Sequence, residues 1–279
     1  MSNDVTLYTG ECAAVMAAHI PDGSIDLTVT SPPYDGLREY RGYTFDFEAI
    51  AAQLWRVTKP GGVVVWVVAD ATVNGSETGT SFRQALGFMG LGFNLHDTMI
   101  YRRSAPQFPE TVRYASVFEY MFIMSKESPT TANLIKVKST GHGGFVVGSK
   151  IRGTQEVLNV RIGGGMRVKD NVWDILSHGT NGYSDPDAAN HPAIFPEALA
   201  RDHILSWSNP GDVVLDPMCG SGTTLKMAVT LGRRAIGIDI AAEYIALTRE
   251  RVGRAQLQAP LFPHESERAV QMPLDATED

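Results

Sequence analysis

The sequence is poor in cysteine and has no long apolar run, and each shortage removes a class of protein. Only Cys12 and Cys219 are cysteines among 279 residues. They fall in no Cys-x-x-Cys or Cys/His spacing, so neither a structural zinc site nor a disulfide framework is expected, and no metal ligand is assigned. Reduced thiols fit a cytoplasmic location. No stretch approaches the roughly 18 apolar residues of a membrane span, and Met1-Ser2-Asn3-Asp4 offers no basic lead into an apolar segment, so neither a membrane span nor a secretory signal is expected. Positive charge is also scarce. The formal net charge is −7, which as a single number argues against a polyanionic partner. The scarcity is uneven, however: residues 101–170 carry eleven Lys/Arg against five acids, a local +6 that leaves −13 for the remainder. Such a segment is either a chance cluster on a solvated surface or a face for a phosphate backbone.

What is present reads as an α/β chain. Leu7–Thr9 is a short strand candidate and Glu11–His19 a short helix closed by Pro21-Asp22-Gly23. Ile25–Thr30 is a strand. Phe47, Ile50, Ala51, Leu54 and Trp55 fall on one helical face, with Pro60-Gly61-Gly62 read as the helix stop. Val63–Val68 is apolar throughout, as in a central strand covered on both faces. Ser81–Leu91 reads as a helix, and Leu95–Tyr101 and Tyr114–Ser125 as strands. From about residue 127 to 190 the periodicity is lost in Gly, Ser, Thr, Asn and Lys, the pattern of functional loops. It returns with a helix at Glu197–Trp207, then a strand, a glycine loop, a helix (Thr224–Leu231), a strand (Arg234–Ile240) and a helix (Ala242–Val252). From Gln256 onward the chain is rich in Pro and acid, as a poorly ordered tail would be.

Two strand ends carry the chemistry. Ser31-Pro32-Pro33-Tyr34 follows directly on Ile25–Thr30. Two prolines cannot continue a ladder, so this strand delivers a hydroxyl, rigid carbonyls and an aromatic ring to its carboxyl end, where open α/β sheets bind ligands. Alone, the tetrapeptide would be a surface turn or a proline-helix ligand. The second element, Asp216-Pro217-Met218-Cys219-Gly220-Ser221-Gly222-Thr223-Thr224, leaves the run Val213–Leu215. It is not a Walker loop, since Thr223-Thr224 replace Lys-Ser/Thr, and Leu225 stands where a dinucleotide fingerprint has its third glycine. A nucleotide-like ligand without a pyrophosphate fits better. Asp239, at the next strand end, stands where an acid bonds ribose hydroxyls in such units; its alternative is to cap the following helix. Cys219 reads as a small packed residue, and His142 and His191 are given no catalytic role.

These motifs resemble those of the S-adenosylmethionine-dependent amino-methyltransferases of DNA. Their cofactor motif is similar to Asp216–Thr224, their acidic ribose contact to Asp239, and their catalytic tetrapeptide to Ser31–Tyr34; the order, catalytic motif first, resembles the beta class. Arg56–Gly62 and His191–Glu197 are further matches, the latter like a segment that helps close the cofactor pocket, which adds Phe195 and Pro196 to the binding residues. The resemblance spans about residues 5–125 and 190–253. It implies a Rossmann-like, doubly wound, mostly parallel sheet in permuted order: a catalytic half at residues 1–126, an inserted target-recognition region at 127–190, the cofactor half at 191–255 and a tail at 256–279. It implies S-adenosylmethionine as cofactor and double-stranded DNA as partner, with a homodimer left open.

The implied chemistry explains the residues. An exocyclic amine on a base is a poor nucleophile because its lone pair is delocalised into the ring. Hydrogen bonds to the Pro32 carbonyl and the Ser31 hydroxyl would draw the nitrogen toward sp³ geometry, while Tyr34 would stack on the flipped base. Attack on the sulfonium methyl is then an in-line displacement that depends on alignment. Serine in first position is, by resemblance, typical of enzymes that methylate cytosine N4. The expected activity is therefore N4-cytosine methylation, with N6-adenine methylation as the alternative and RNA methylation or a non-catalytic DNA-binding module beyond it.

Overall fold

A computed structural model describes residues 5–33, 45–103, 112–138, 145–150, 157–162, 165–175 and 195–258. The chain divides into two compact units, Met1–Asn133 with Asn171–Pro263, and Leu134–Asp170 with His264–Asp279.

The first unit is built on one sheet. In chain order its elements are β1 (Val5–Thr9), α1 (Cys12–His19), β2 (Ile25–Thr30), α2 (Phe47–Val57), β3 (Thr58–Val68), the small hairpin β4 (Thr72–Val73) and β5 (Ser76–Glu77), α3 (Thr80–Gly90), β6 (Asn94–Arg102) and β7 (Phe118–Ser125). After the second unit come β12 (Val172–Asp174), α4 (Glu197–Trp207), β13 (Val213–Asp216), α5 (Thr223–Thr230), β14 (Arg234–Asp239) and α6 (Ala242–Gln258). The eight-stranded order is β1-β14-β13-β2-β3-β7-β6-β12. The run from β1 to β3 is parallel, β7 is antiparallel to both β3 and β6, and β12 lies parallel to β6.

Alternation along the strands loads both faces. Ile25, Val64, Trp66, Phe122, Leu215 and Ile238 pack in one core with Met16 of α1, Ile50 and Leu54 of α2 and Phe88 of α3. The Trp66 indole N–H, wholly buried, donates to Gln84 Oε1 of α3 at 2.9 Å, so the bulkiest core side chain leaves no polar atom unsatisfied. The intervening residues Leu27, Val29, Val65 and Val214 are equally buried, on the face that α4 and α5 cover. Right-handed crossovers explain the split. From β2 the chain crosses to β3 in one direction and from β13 to β14 in the other, which puts α2 and α5 on opposite faces. The order therefore reverses between β13 and β2, the switch point at which such sheets open a crevice.

The structure moves several boundaries. Pro60-Gly61-Gly62 does not stop α2, which ends at Val57 with the Thr58 N–H bonded to Leu54 O; it lies inside β3. Ile25 pairs with Thr58 and Leu27 with Val63, so Lys59–Gly62 bulge out of the ladder. Gly61 takes φ +76 there, and its N–H reaches Lys126 O at 2.6 Å. β7 begins at Phe118 rather than Tyr114, and α6 runs on to Gln258.

The segment from about residue 127 to 190, expected as functional loops, contains strands, four of them in the second unit. β8 (Lys136–Lys138) pairs antiparallel with β11 (Met166–Val168), and β9 (Phe145–Lys150) with β10 (Val157–Ile162). In the first pair Lys136, Lys138, Met166 and Val168 lie on one face and are exposed. The Gly, Ser, Thr, Asn and Lys around these strands hide their pattern in the sequence. Residues 259–279, in the expected tail, lie outside the described residues.

Candidate active site

The two motifs meet at the switch point. Backbone pairing of β2 with β3 ends at Thr30↔Trp66, and the prolines that follow have no N–H with which to extend it. Ser31 and Pro33 are half-buried and Pro32 is buried. Tyr34, the fourth residue of the motif, lies outside the described residues. On the neighbouring strand β13 ends at Asp216, and the Thr30 hydroxyl donates to Asp216 Oδ1 at 2.8 Å across 186 residues of sequence. Thr30 is wholly buried, and Asp216 is 5% exposed.

The loop after Asp216 is held from several sides. The Met218 N–H donates to Asp216 Oδ1 at 3.2 Å, and the Cys219 N–H to Ile238 O at 2.9 Å. Asp239 fixes the turn from the next strand: its carboxylate accepts the Gly220 N–H and the Ala241 N–H, each at 2.9 Å. It thus ties the loop to Ala241, the residue before α6. Gly220 and Gly222 take φ +51 and +78, the left-handed region that glycine enters at least cost. At Gly222 a Cβ would meet the Thr248 side chain at 2.6 Å, so this glycine serves the close approach of α6. Pro217, Ser221, Thr223 and Thr224 are buried and Met218 is half-buried. Thr224 Oγ1 donates to Val29 O of β2 at 3.3 Å, and Thr223 Oγ1 accepts Arg251 Nη1 at 3.4 Å. The structure therefore turns both threonine hydroxyls toward protein.

Sequence reasoning missed the groups behind the loop. Thr248 donates to Gly220 O at 2.9 Å. Arg251, 1% exposed, donates to Ser221 O. Its guanidinium also approaches Glu197 Oε1 at 3.7 Å, and Lys226 Nζ of α5 meets the same oxygen at 2.7 Å. Glu197 is the first residue of α4, immediately after Phe195 and the N-cap Pro196, so these two expected pocket residues are anchored to α5 and α6. His191–Ile194 lie outside the described residues. One signal could have exposed Thr248 and Arg251: with Ile245, Val252 and Ala255 they share the buried face of α6, where polar residues are out of place unless paired.

Burial dominates the electrostatics. It raises the Asp216 carboxyl to about 6; hydrogen bonds from Thr30, Met218 and Thr224 pull the other way, and Asp239 adds repulsion. Burial also drives the Cys219 thiol well up and the Cys12 thiol to about 12, so neither is a ready thiolate nucleophile. No cluster of potential metal ligands occurs among the described residues, and no helix among them is long and apolar enough to cross a membrane. Two carboxylates on either side of one loop, Asp216 and Asp239, suit a ligand that carries a positive charge and sugar hydroxyls. S-adenosylmethionine has that character, and a positive charge near Asp216 would relieve the penalty on its ionised form.

Comparison with known proteins agrees with this geometry. The N6_N4_Mtase family of DNA methylases matches residues 25–250. The orphan methyltransferase M.BamHII of Bacillus amyloliquefaciens is 52% identical over 247 residues, covering 85% of this chain and 92% of the relative. The DNA adenine methyltransferase YhdJ of Escherichia coli K12 is 29% identical over 262 residues, covering 88% and 82%. Among solved structures, TTHA0409 of Thermus thermophilus in complex with S-adenosyl-L-methionine superposes with TM-score 0.61 at 25% identity over 93% of this chain and 97% of that one. PvuII DNA methyltransferase, cytosine-N4-specific, gives TM-score 0.64 at 20% identity over 96% and 90%, a likeness of fold. The chain belongs to the N6/N4 DNA methylase family.

Proposed function

We propose that the protein transfers a methyl group from S-adenosylmethionine to the N4 amine of a cytosine flipped out of duplex DNA. The observation that carries this reading is the contact of Thr30 with Asp216, which joins the end of the Ser-Pro-Pro-Tyr strand to the glycine loop at the sheet's switch point. On this reading Asp216, Pro217, Met218, Gly220, Ser221 and Gly222 form the cofactor cradle. Asp239 holds ribose hydroxyls and Phe195-Pro196 borders the pocket. Thr223 and Thr224 act from behind, through their bonds to Arg251 and β2. Ser31 and the Pro32 carbonyl accept the amine's hydrogens and localise its lone pair, and Tyr34 stacks on the base. S-adenosylmethionine supplies an electrophilic methyl on sulfur, and the residues of this chain align the amine with it. The unit around Leu134–Asp170 supplies target recognition, a role favoured by its separate compactness and by Lys136 and Lys138 on one exposed strand.

The choice of cytosine rests on Ser31. Adenine N6 is the second reading, favoured by the 29% identity to an adenine methyltransferase; both amines present the same donors to the same acceptors. Mass analysis of nucleosides from DNA treated with the protein and isotopically labelled cofactor separates them. Labelled N4-methylcytosine is expected, and labelled N6-methyladenine without it would overturn the base assignment.

A further inference from the structure

The sheet itself does not join the two halves of the crevice. Backbone register between β13 and β2 covers Val214↔Leu27 and Leu215↔Thr28 and stops there. At the level of the site each strand pairs only with its outer neighbour, Asp216 with Gly237 and Thr30 with Trp66. Two side-chain bonds bridge the gap that remains: Thr30 Oγ1 to Asp216 Oδ1, and Thr224 Oγ1 to Val29 O. Ladder bonds would close the crevice, whereas side-chain bonds hold its walls at a set spacing and leave its mouth to a ligand.

We propose that Thr30 is a positioning residue for methyl transfer: its hydroxyl ties the strand end that receives the base amine to the loop that carries the cofactor, and so fixes the distance between the reacting partners. This rests on the cofactor assignment above. Thr30 precedes Ser31 directly, so a shift in its anchorage moves Ser31 and Pro32 with it. Near-attack alignment tolerates little error, and a displacement of about 1 Å can cost on the order of a hundredfold in rate. The same bond makes Asp216 the meeting point of both halves. The groups that bear on its carboxylate are Thr30 from β2, Thr224 from α5, the Met218 N–H, and two titratable groups, Asp239 at the end of β14 and the Cys219 thiol. Among the described donors to this carboxylate, Thr30 is the one from the base-holding strand. Removing its hydroxyl takes away a donor that favours the ionised form, so Asp216 would ionise at higher pH.

The test uses the full protein and the variants Thr30→Val, Thr30→Ser and Asp216→Asn. S-adenosylmethionine binding is measured by calorimetry from pH 5 to 7.5, and single-turnover methyl transfer is measured at saturating cofactor and DNA. Thr30→Val is expected to bind cofactor with its pH midpoint moved upward and to transfer methyl about 10- to 100-fold more slowly once saturated, and Thr30→Ser is expected to restore both. A Thr30→Val protein with the wild-type midpoint and rate would overturn the proposal, as would a defect that Thr30→Ser does not repair. Should Thr30→Val not fold, Thr30→Ala carries the same predictions. Asp216→Asn separates the two levels: undiminished cofactor binding there would overturn the cofactor assignment, whereas lost binding beside a wild-type Thr30→Val would overturn the positioning role alone.

Discussion

The two walls of the crevice reach rigidity by different routes. The β2 wall is stiffened from within, by Pro32 and Pro33 next to each other in sequence. The β13 wall is a glycine-bearing turn stiffened from without, by Asp239, Thr248, Arg251 and Thr30, which lie between 19 and 186 residues from the groups they hold. A proline-stiffened segment needs few partners, because its φ angles are already set. A turn of glycines can adopt the left-handed conformations it needs, but it must be held in them by other elements. Damage should therefore be concentrated on the β13 side, and variants of its distant supports are the sharpest way to probe the contrast.

Arg251→Met should show the largest effect. It removes a buried guanidinium from Ser221 O and from the Glu197–Lys226 pair, and a loss of about 3 kcal/mol is expected; Lys226 still neutralises Glu197, which keeps the cost at the low end for a broken buried pair. Chemical denaturation with and without S-adenosylmethionine would measure it, with cofactor affinity falling in parallel. Gly222→Ala follows, at about 2 kcal/mol, from a Cβ at φ +78 driven into Thr248. Adding Thr248→Ala should recover only part of the loss, since Thr248 Cβ itself would lie 2.9 Å from the new methyl.

Asp216→Asn should act in the opposite direction on the free protein. The folded Asp216 holds its proton to about pH 6 against a reference of 3.8. The folded state therefore binds more protons than the unfolded state between those values, and stability falls as pH rises through that window. The amide lacks this fall. Its advantage should be absent below pH 4 and fully open above pH 6. It can reach no more than about 3 kcal/mol, the worth of about two pKa units, and should come to about 1 kcal/mol once the buried amide's own desolvation is counted. Thermal melts across pH 3.5–8 would show it, together with lost cofactor binding. A variant less stable than wild type at pH 8 would contradict the idea that the carboxylate is kept for function at a cost in stability.

The contrast between the walls also explains what could be read from the sequence. Prolines, glycines and strand-end acids act where they stand, so Ser31–Pro33, Gly220, Gly222, Asp216 and Asp239 can be picked out locally, as can β2, the α2 stripe and the apolar run of β3. Thr30 looks like any β-branched strand residue, because its partner is 186 positions away. Thr248 and Arg251 acquire meaning only when α6 lies on the loop. Pro60-Gly61-Gly62 reads as a helix stop because helix stops and bulges use the same residues, and only pairing with β2 tells them apart. In the second unit β9 and β10 are as long as β2, but they and the shorter β8 and β11 stand among Gly, Ser, Thr, Asn and Lys, which hide the pattern.

The central claim, that two separable half-sites meet between β13 and β2, is tested most directly by a paired measurement on Asp239→Ala and Pro32→Ala. S-adenosylmethionine affinity is determined by calorimetry, and base extrusion by the fluorescence of a 2-aminopurine placed in duplex DNA at the target position. Asp239→Ala should lose at least tenfold in cofactor affinity, about 1.4 kcal/mol, with extrusion retained, and Pro32→Ala should do the reverse. Equal loss of both properties in both variants would contradict the account.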